Sequence, residues 1–211
     1  MKKHLLSLLL LVAMVLPIPM LAQNYGHHIV ANGTASNQYV PIYGRMCMYM
    51  QRTQSVYPAS MLTSLQDGTI TTLRYYMQTP ASVVWSCPFQ IKMGTISSTT
   101  LTSLASDADF TTVYTGMLDA TDTVMTIELD VPFTYTGGNL VVEIANTATV
   151  PQMEIMSYNN NKFYGISQTG ASWACTNNPT GQARAFLPKV DFLCENIACP
   201  KVSTIQVSQV P

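Results

Sequence analysis

Val124-Met125-Thr126-Ile127-Glu128-Leu129-Asp130-Val131-Pro132-Phe133-Thr134-Tyr135-Thr136-Gly137-Gly138-Asn139-Leu140-Val141-Val142-Glu143-Ile144 is the stretch whose reading decides the fold. Ile127, Leu129 and Val131 alternate with Thr126, Glu128 and Asp130, and Leu140, Val142 and Ile144 alternate with Val141 and Glu143. A period of two places one set in a core and the other toward water, so the spacing predicts strands over 124–131 and 140–146. Gly137-Gly138-Asn139 supplies the turn between them, because glycine reaches positive φ without steric cost.

The same period extends outward. Leu73, Tyr75 and Met77 alternate with Arg74 and Tyr76; Phe89, Ile91 and Met93 with Gln90 and Lys92; Val190 and Phe192 with Lys189 and Asp191. Asp67-Gly68 is a turn before a strand at 69–77. Asn159-Asn160-Asn161 joins expected strands at 152–158 and 162–167, and Asn177-Asn178-Pro179-Thr180-Gly181 reads as an exposed loop. Pro58 to Leu65 allows one short turn of helix, and no longer helical period follows the N-terminal leader. Short strands with regular turns imply an all-β, antiparallel, jelly-roll-like β-sandwich of about eight to ten strands.

Residues 1–22 have the three-part layout of a secretory signal peptide: Lys2, Lys3 and His4, then an apolar run from Leu5 to Leu16 broken by Ser7, then Pro17, Pro19 and a small residue at Ala22. The run is short of the roughly 20 residues that span a bilayer, so the expected product is exported, starts at Gln23 and has no transmembrane segment. Residues 23–37 form an N-terminal segment, 38–195 the sandwich domain, and 196–211 a linker with one strand of a further domain. Charged residues make up 10% of the chain, and 10 Lys and Arg against 11 Asp and Glu leave no basic surface for nucleic acid. Thr, Ser, Asn and Gln provide the polar surface instead, as suits a secreted or cell-surface protein.

Five cysteines are present. An oxidising compartment permits disulfides, and Cys87 with Cys175 is the favoured pair, each close to a tryptophan. Cys194 and Cys199 could close a local loop, and Cys47 reads as a buried thiol. None of the five stands in the CxxC spacing of a zinc site.

Three stretches in order carry a family resemblance: Tyr39-Val40-Pro41-Ile42 followed by Val56-Tyr57-Pro58-Ala59-Ser60-Met61-Leu62 and Gly68-Thr69-Ile70-Thr71; Val113-Tyr114-Thr115-Gly116; and Val131 to Glu143. Together they resemble a β-sandwich module of secreted and surface proteins of Bacteroidota. Cys199-Pro200-Lys201-Val202-Ser203-Thr204-Ile205-Gln206-Val207 is similar to the opening of the fibronectin type III domain that often follows it. The resemblance implies export, a jelly-roll-like sandwich and an adhesin-like surface role, and it brings no catalytic residues.

Chemistry-bearing residues are few. His27 and His28, close to the expected new N-terminus, read as a solvated pair. Glu128, Asp130 and Glu143 lie on outward strand faces, and Asp119 and Asp122 in a loop. Asp107 and Asp109 offer loop oxygens of the kind calcium takes, and calcium is the cofactor this pattern admits. Met46, Met48 and Met50 alternate with Cys47 and Tyr49 as in a buried strand, with a copper site as the other reading. Trp85, Trp173, Tyr76 and Tyr164 could stack on sugar rings or serve as core anchors. Asp122-Thr123-Val124 resembles a short O-glycosylation sequence of this bacterial group, with Thr123 as acceptor. The expected function is a non-catalytic adhesin-like module for an extracellular protein or glycan, with an accessory carbohydrate-binding module or a structural spacer as alternatives.

Overall fold

A computed structural model describes residues 26–43, 51–85, 87–146, 160–175 and 178–195. The leader, Met46 to Met50, the expected strand at 152–158, Cys199 and the tail 196–211 lie outside the described residues. Among the described residues there are thirteen strands, β1 Gly26–Val30, β2 Ala35–Asn37, β3 Gln51–Tyr57, β4 Thr69–Thr79, β5 Phe89–Ile96, β6 Thr111–Gly116, β7 Val124–Thr134, β8 Asn139–Asn146, β9 Lys162–Ile166, β10 Ala171–Cys175, β11 Asn178–Arg184, β12 Leu187–Pro188 and β13 Val190–Glu195. Pro58 to Leu65 forms two 3₁₀ turns, Ala59–Met61 and Thr63–Leu65. Among the described residues no helix is long and apolar enough to cross a membrane.

Every pairing is antiparallel, and the strands form two sheets. The first runs β1-β13-β4-β9-β12, with β2 on β9 and β7 on β4; the second runs β11-β10-β3-β8-β5-β6. The protein is an all-β sandwich. Its core lies between the sheets: Leu73, Tyr75, Ile127, Phe163, Val190 and Phe192 from the first meet Tyr57, Phe89, Ile91, Val113, Val142 and Ile144 from the second. Tyr57 meets Phe192 edge to face at 5.6 Å and donates its hydroxyl to Pro188 O at 3.0 Å. Burial pushes the phenols of Tyr57 and Tyr75 well above their ordinary range.

The stretch at 124–144 divides between the sheets. β7 pairs with β4 in the first and β8 with β3 and β5 in the second, so Gly137 (φ +115°) and Gly138 (φ +89°) carry the chain across the sandwich. Met125 and Ile127 enter the core as the alternation requires, but Val131 is 48% exposed. The cause is a bulge: Ile70 pairs with Phe133 while Thr72 pairs with Glu128, which pushes 129–132 out of register. There Asp130 Oδ2 accepts from Thr115 N at 2.8 Å, linking β7 to β6.

β3 is central despite its polar sequence, because two glutamines act as amide clamps. Gln51 accepts from Tyr43 N at 2.7 Å and donates to Tyr43 O at 2.8 Å; Gln54, on the opposite face, accepts from Ala105 N at 2.7 Å and donates to Ala105 O at 3.0 Å. Each amide thus meets both polar groups of one backbone residue, which satisfies groups that burial would otherwise penalise. The first clamp holds the segment 38–43, and the second holds residues 97–110, a strap across the outer face of the second sheet.

Three sequence expectations change. The segment 23–37, set apart from the sandwich, supplies β1 and β2; their strand signal is faint because His27, Ser36 and Asn37 give little apolar alternation. Asn178 to Gly181, read as loop, begins edge strand β11, where Pro179 and Gly181 (φ +89°) are tolerated because one side is unpaired. Cys87 and Cys175 do not pair. Both are free thiols, as is Cys194. Cys175 pairs with Gln51 of β3, whereas Cys87 leads into β5, three strands and about 14 Å away.

Candidate ligand-binding site

The aromatic residues named from the sequence do not form one platform. Trp85 is fully buried in the main core against Phe89, ring centroids 5.6 Å apart. Tyr76 and Tyr164 alternate with the core residues Tyr75 and Phe163 and so lie on the outer face of the first sheet, where Lys189 Nζ stands 4.3 Å from the Tyr76 ring. Trp173 stands apart from both groups, half-buried, at the β10–β11 edge of the second sheet.

Trp173 belongs to a cluster that the sequence did not announce as one unit. The clamp on Tyr43 and the hydroxyl of Thr53, which donates to Pro41 O, fasten the segment 38–43 over this edge. Tyr39 and Tyr43 then stack with centroids 4.7 Å apart and planes 23° from parallel. Trp173 meets them edge-on at 5.4 Å and 5.2 Å. The Arg184 guanidinium of β11 lies 3.8 Å from the Tyr39 centroid and 5.2 Å from that of Trp173, within cation–π range. Its Nη2 donates to Gln182 Oε1 at 3.1 Å. All three aromatic side chains and Arg184 are half-buried, beside a small apolar cluster of Val40, Ala171 and Phe186 that is separate from the main core. Trp173 Nε1 and Arg184 Nε are buried with no acceptor among the described residues. Only tertiary contact brings residues 39, 43, 173 and 184 together, which is why spacing did not reveal them.

Asp107 is placed in an ionic latch. Its carboxylate accepts from Lys92 Nζ at 2.6 Å and from Arg52 Nη2 at 2.9 Å. The hydrogen bond from Lys92 holds its carboxyl below the usual range, against burial and with help from the Arg52 charge. Arg52 Nη2 also donates to Glu143 Oε2 at 2.6 Å, as does Gln54 Nε2. The buried Glu143, read as outward and solvated, lies under the strap instead. Both oxygens of Asp107 thus face the protein's own cations, which repel a calcium ion, and Asp109 has none of that pairing. Among the described residues no group of three His, Cys, Asp or Glu could hold a metal.

His27 and His28 belong to β1 rather than to a solvated end. His27 Nδ1 lies 2.8 Å from Oδ2 of the buried Asp191. His28 Nε2 donates to Met61 O at 2.9 Å, which leaves Nδ1 to accept from Ser64 Oγ at 2.5 Å. Adjacent strand residues face opposite ways, so the carboxylate and the serine stand on opposite sides of the sheet and make no triad. Thr123 is exposed at the entrance to β7, and its carbonyl accepts from Met77 N. No protein family, curated protein or solved structure matches the chain.

Proposed function

We propose that this chain is a non-catalytic, exported, adhesin-like binding module, and that glycan is the ligand class its corner cluster suits best. The observation that carries this reading is the grouping of Tyr39, Tyr43, Trp173 and Arg184 at a half-exposed corner outside the main core. Aromatic rings offer the apolar face of a sugar a flat, rigid partner, and neighbouring amides and guanidinium groups bond its hydroxyls. The separation of the His–Asp and Ser–His contacts supports the absence of turnover. Export rests on the N-terminal residues alone, and the kinship with surface modules of Bacteroidota rests on the three ordered stretches.

A glycan array probed with the labelled mature protein tests the reading. Binding that Trp173→Ala abolishes, while the melting transition stays cooperative, supports it. Failure to bind any glycan overturns it and favours a structural spacer. Capture of a protein ligand through a Trp173-independent surface would retain the adhesin-like role and remove the glycan assignment.

A further inference from the structure

We propose that the corner cluster is a subsite for the carboxylate of an acidic glycan, with Arg184 as the anion-binding group. This deepens the glycan reading above and rests on it.

The first argument is the state of Arg184. Arg52 and Lys92 have their charges matched by Glu143 and Asp107. Arg184 has no acidic partner among the described residues, and the one acceptor it meets is Gln182 Oε1. Yet its guanidinium is held, lying 3.8 Å from the Tyr39 ring centroid with Trp173 at 5.2 Å. An arginine loses much rotamer freedom in being fixed this way. A planar fork already fixed binds a planar anion with less further loss, and two parallel N–H···O bonds suit a carboxylate.

The second argument is the balance of donors and acceptors. Among the described residues Trp173 Nε1 and Arg184 Nε have no partner, but both atoms are buried, so the Nη edge of the guanidinium is what a ligand would meet; Gln182 Oε1 is already engaged, and Tyr39, Tyr43, Trp173, Gln182 and Arg184 include no carboxylate. A donor-rich, positive cluster selects a ligand group that only accepts. Rings beside the fork select an apolar surface next to that group. A uronic acid has both features, a planar carboxylate on a pyranose ring whose face can lie against an aromatic side chain.

The mature chain is titrated with oligogalacturonate and, separately, with its methyl ester, which keeps the sugar and removes the charge. The expected result is binding of the acid, about 10-fold weaker binding of the ester, and a loss of similar size for the acid in Arg184→Gln with no further loss for the ester. Arg184→Lys keeps the charge without the fork and falls between. If Arg184→Gln melts without a cooperative transition, Gln182→Ala takes its place: the residue is exposed, and loosening the guanidinium should weaken the acid by about threefold and leave the ester unchanged. Equal binding of acid and ester, unaffected by either variant, overturns the inference and leaves the glycan reading intact. Binding of dextran sulfate or polyglutamate as tight as oligogalacturonate overturns it in favour of a general anion site. Binding of no glycan, charged or neutral, takes down the parent reading as well.

Discussion

The two sheets share one core and differ on their outer faces. The second sheet is covered: the strap 97–110 lays Leu101, Ala105 and Phe110 against Val56 and Val141 and is latched by Arg52, Glu143, Lys92, Asp107 and Gln54. The first sheet shows Thr126, Glu128 and Tyr76 to solvent, with Asp191 as the buried charge among them. The difference lies in which groups need a partner. A covered face must satisfy every polar group it hides, whereas an open one can leave that to water. Charge placed under the strap is therefore structural, and charge on the open face is mostly replaceable.

The largest effect should come from Glu143→Ala, which leaves Arg52 and Gln54 without their shared acceptor. It should cost about 3 kcal/mol in denaturant unfolding; a cost below ~1 kcal/mol would mean that the latch does not hold the strap. Next comes Leu101→Ala, expected at about 2 kcal/mol for a buried leucine, against less than ~0.5 kcal/mol for Thr126→Ala on the open face. Similar values for the two would erase the contrast between the sheets. His27→Ala should cost about 1 kcal/mol, because it takes the imidazole from Oδ2 of the buried Asp191, whose Oδ1 has no partner among the described residues, and leaves the carboxylate to the nearby Tyr76 hydroxyl. Urea melts of this variant measure whether one buried charge makes the open face depend on pairing.

The smallest effect is that of acid. Asp107 titrates below its ordinary value in the folded protein, so its contribution is complete above about pH 4 and is lost as pH falls through the lower folded value. Asp107→Asn should flatten that part of the stability profile and leave the neutral region close to parallel. A melting temperature that falls equally in both proteins between pH 4 and pH 2 would assign the acid loss elsewhere. Cys194 gives an internal control, since burial pushes its thiol up to about 12. It should resist alkylation in the native protein and react on unfolding.

The strands legible in the sequence are those whose core-facing apolar residues alternate with polar or charged ones, even where, as in β8, the second face is also buried beneath the strap. β4, β5, β7, β8 and β13 all show period two. β3 was hidden because both of its faces are buried and carry glutamine, threonine and serine, whose burial depends on Tyr43 and Ala105 far along the chain. β10 and β11 were hidden by small residues, a proline and a glycine. The site was legible in one residue of the cluster, Trp173. Trp85 has the same residue type and an equally small context, yet it fills the core; nothing local separates a tryptophan that packs from one that stands at a corner. Tyr39, Tyr43 and Arg184 depend on a clamp and a sheet edge that only the assembled fold contains.

Gly94 is the socket of the strap, where any Cβ would overlap the Phe110 ring. With that ring seated, the strap turns its larger side chains inward: Leu101 is buried, and Leu104 and Phe110 are half-buried. Serine and threonine make up the exposed positions from 97 to 103, and residues 97–110 contain no lysine or arginine. A trypsin-like protease therefore finds no bond to cut within this connection. A chymotrypsin-like one must first lift out the residues it would recognise. Chymotrypsin cleavage within 97–110 of the native protein should therefore keep pace with how often Phe110 leaves its socket.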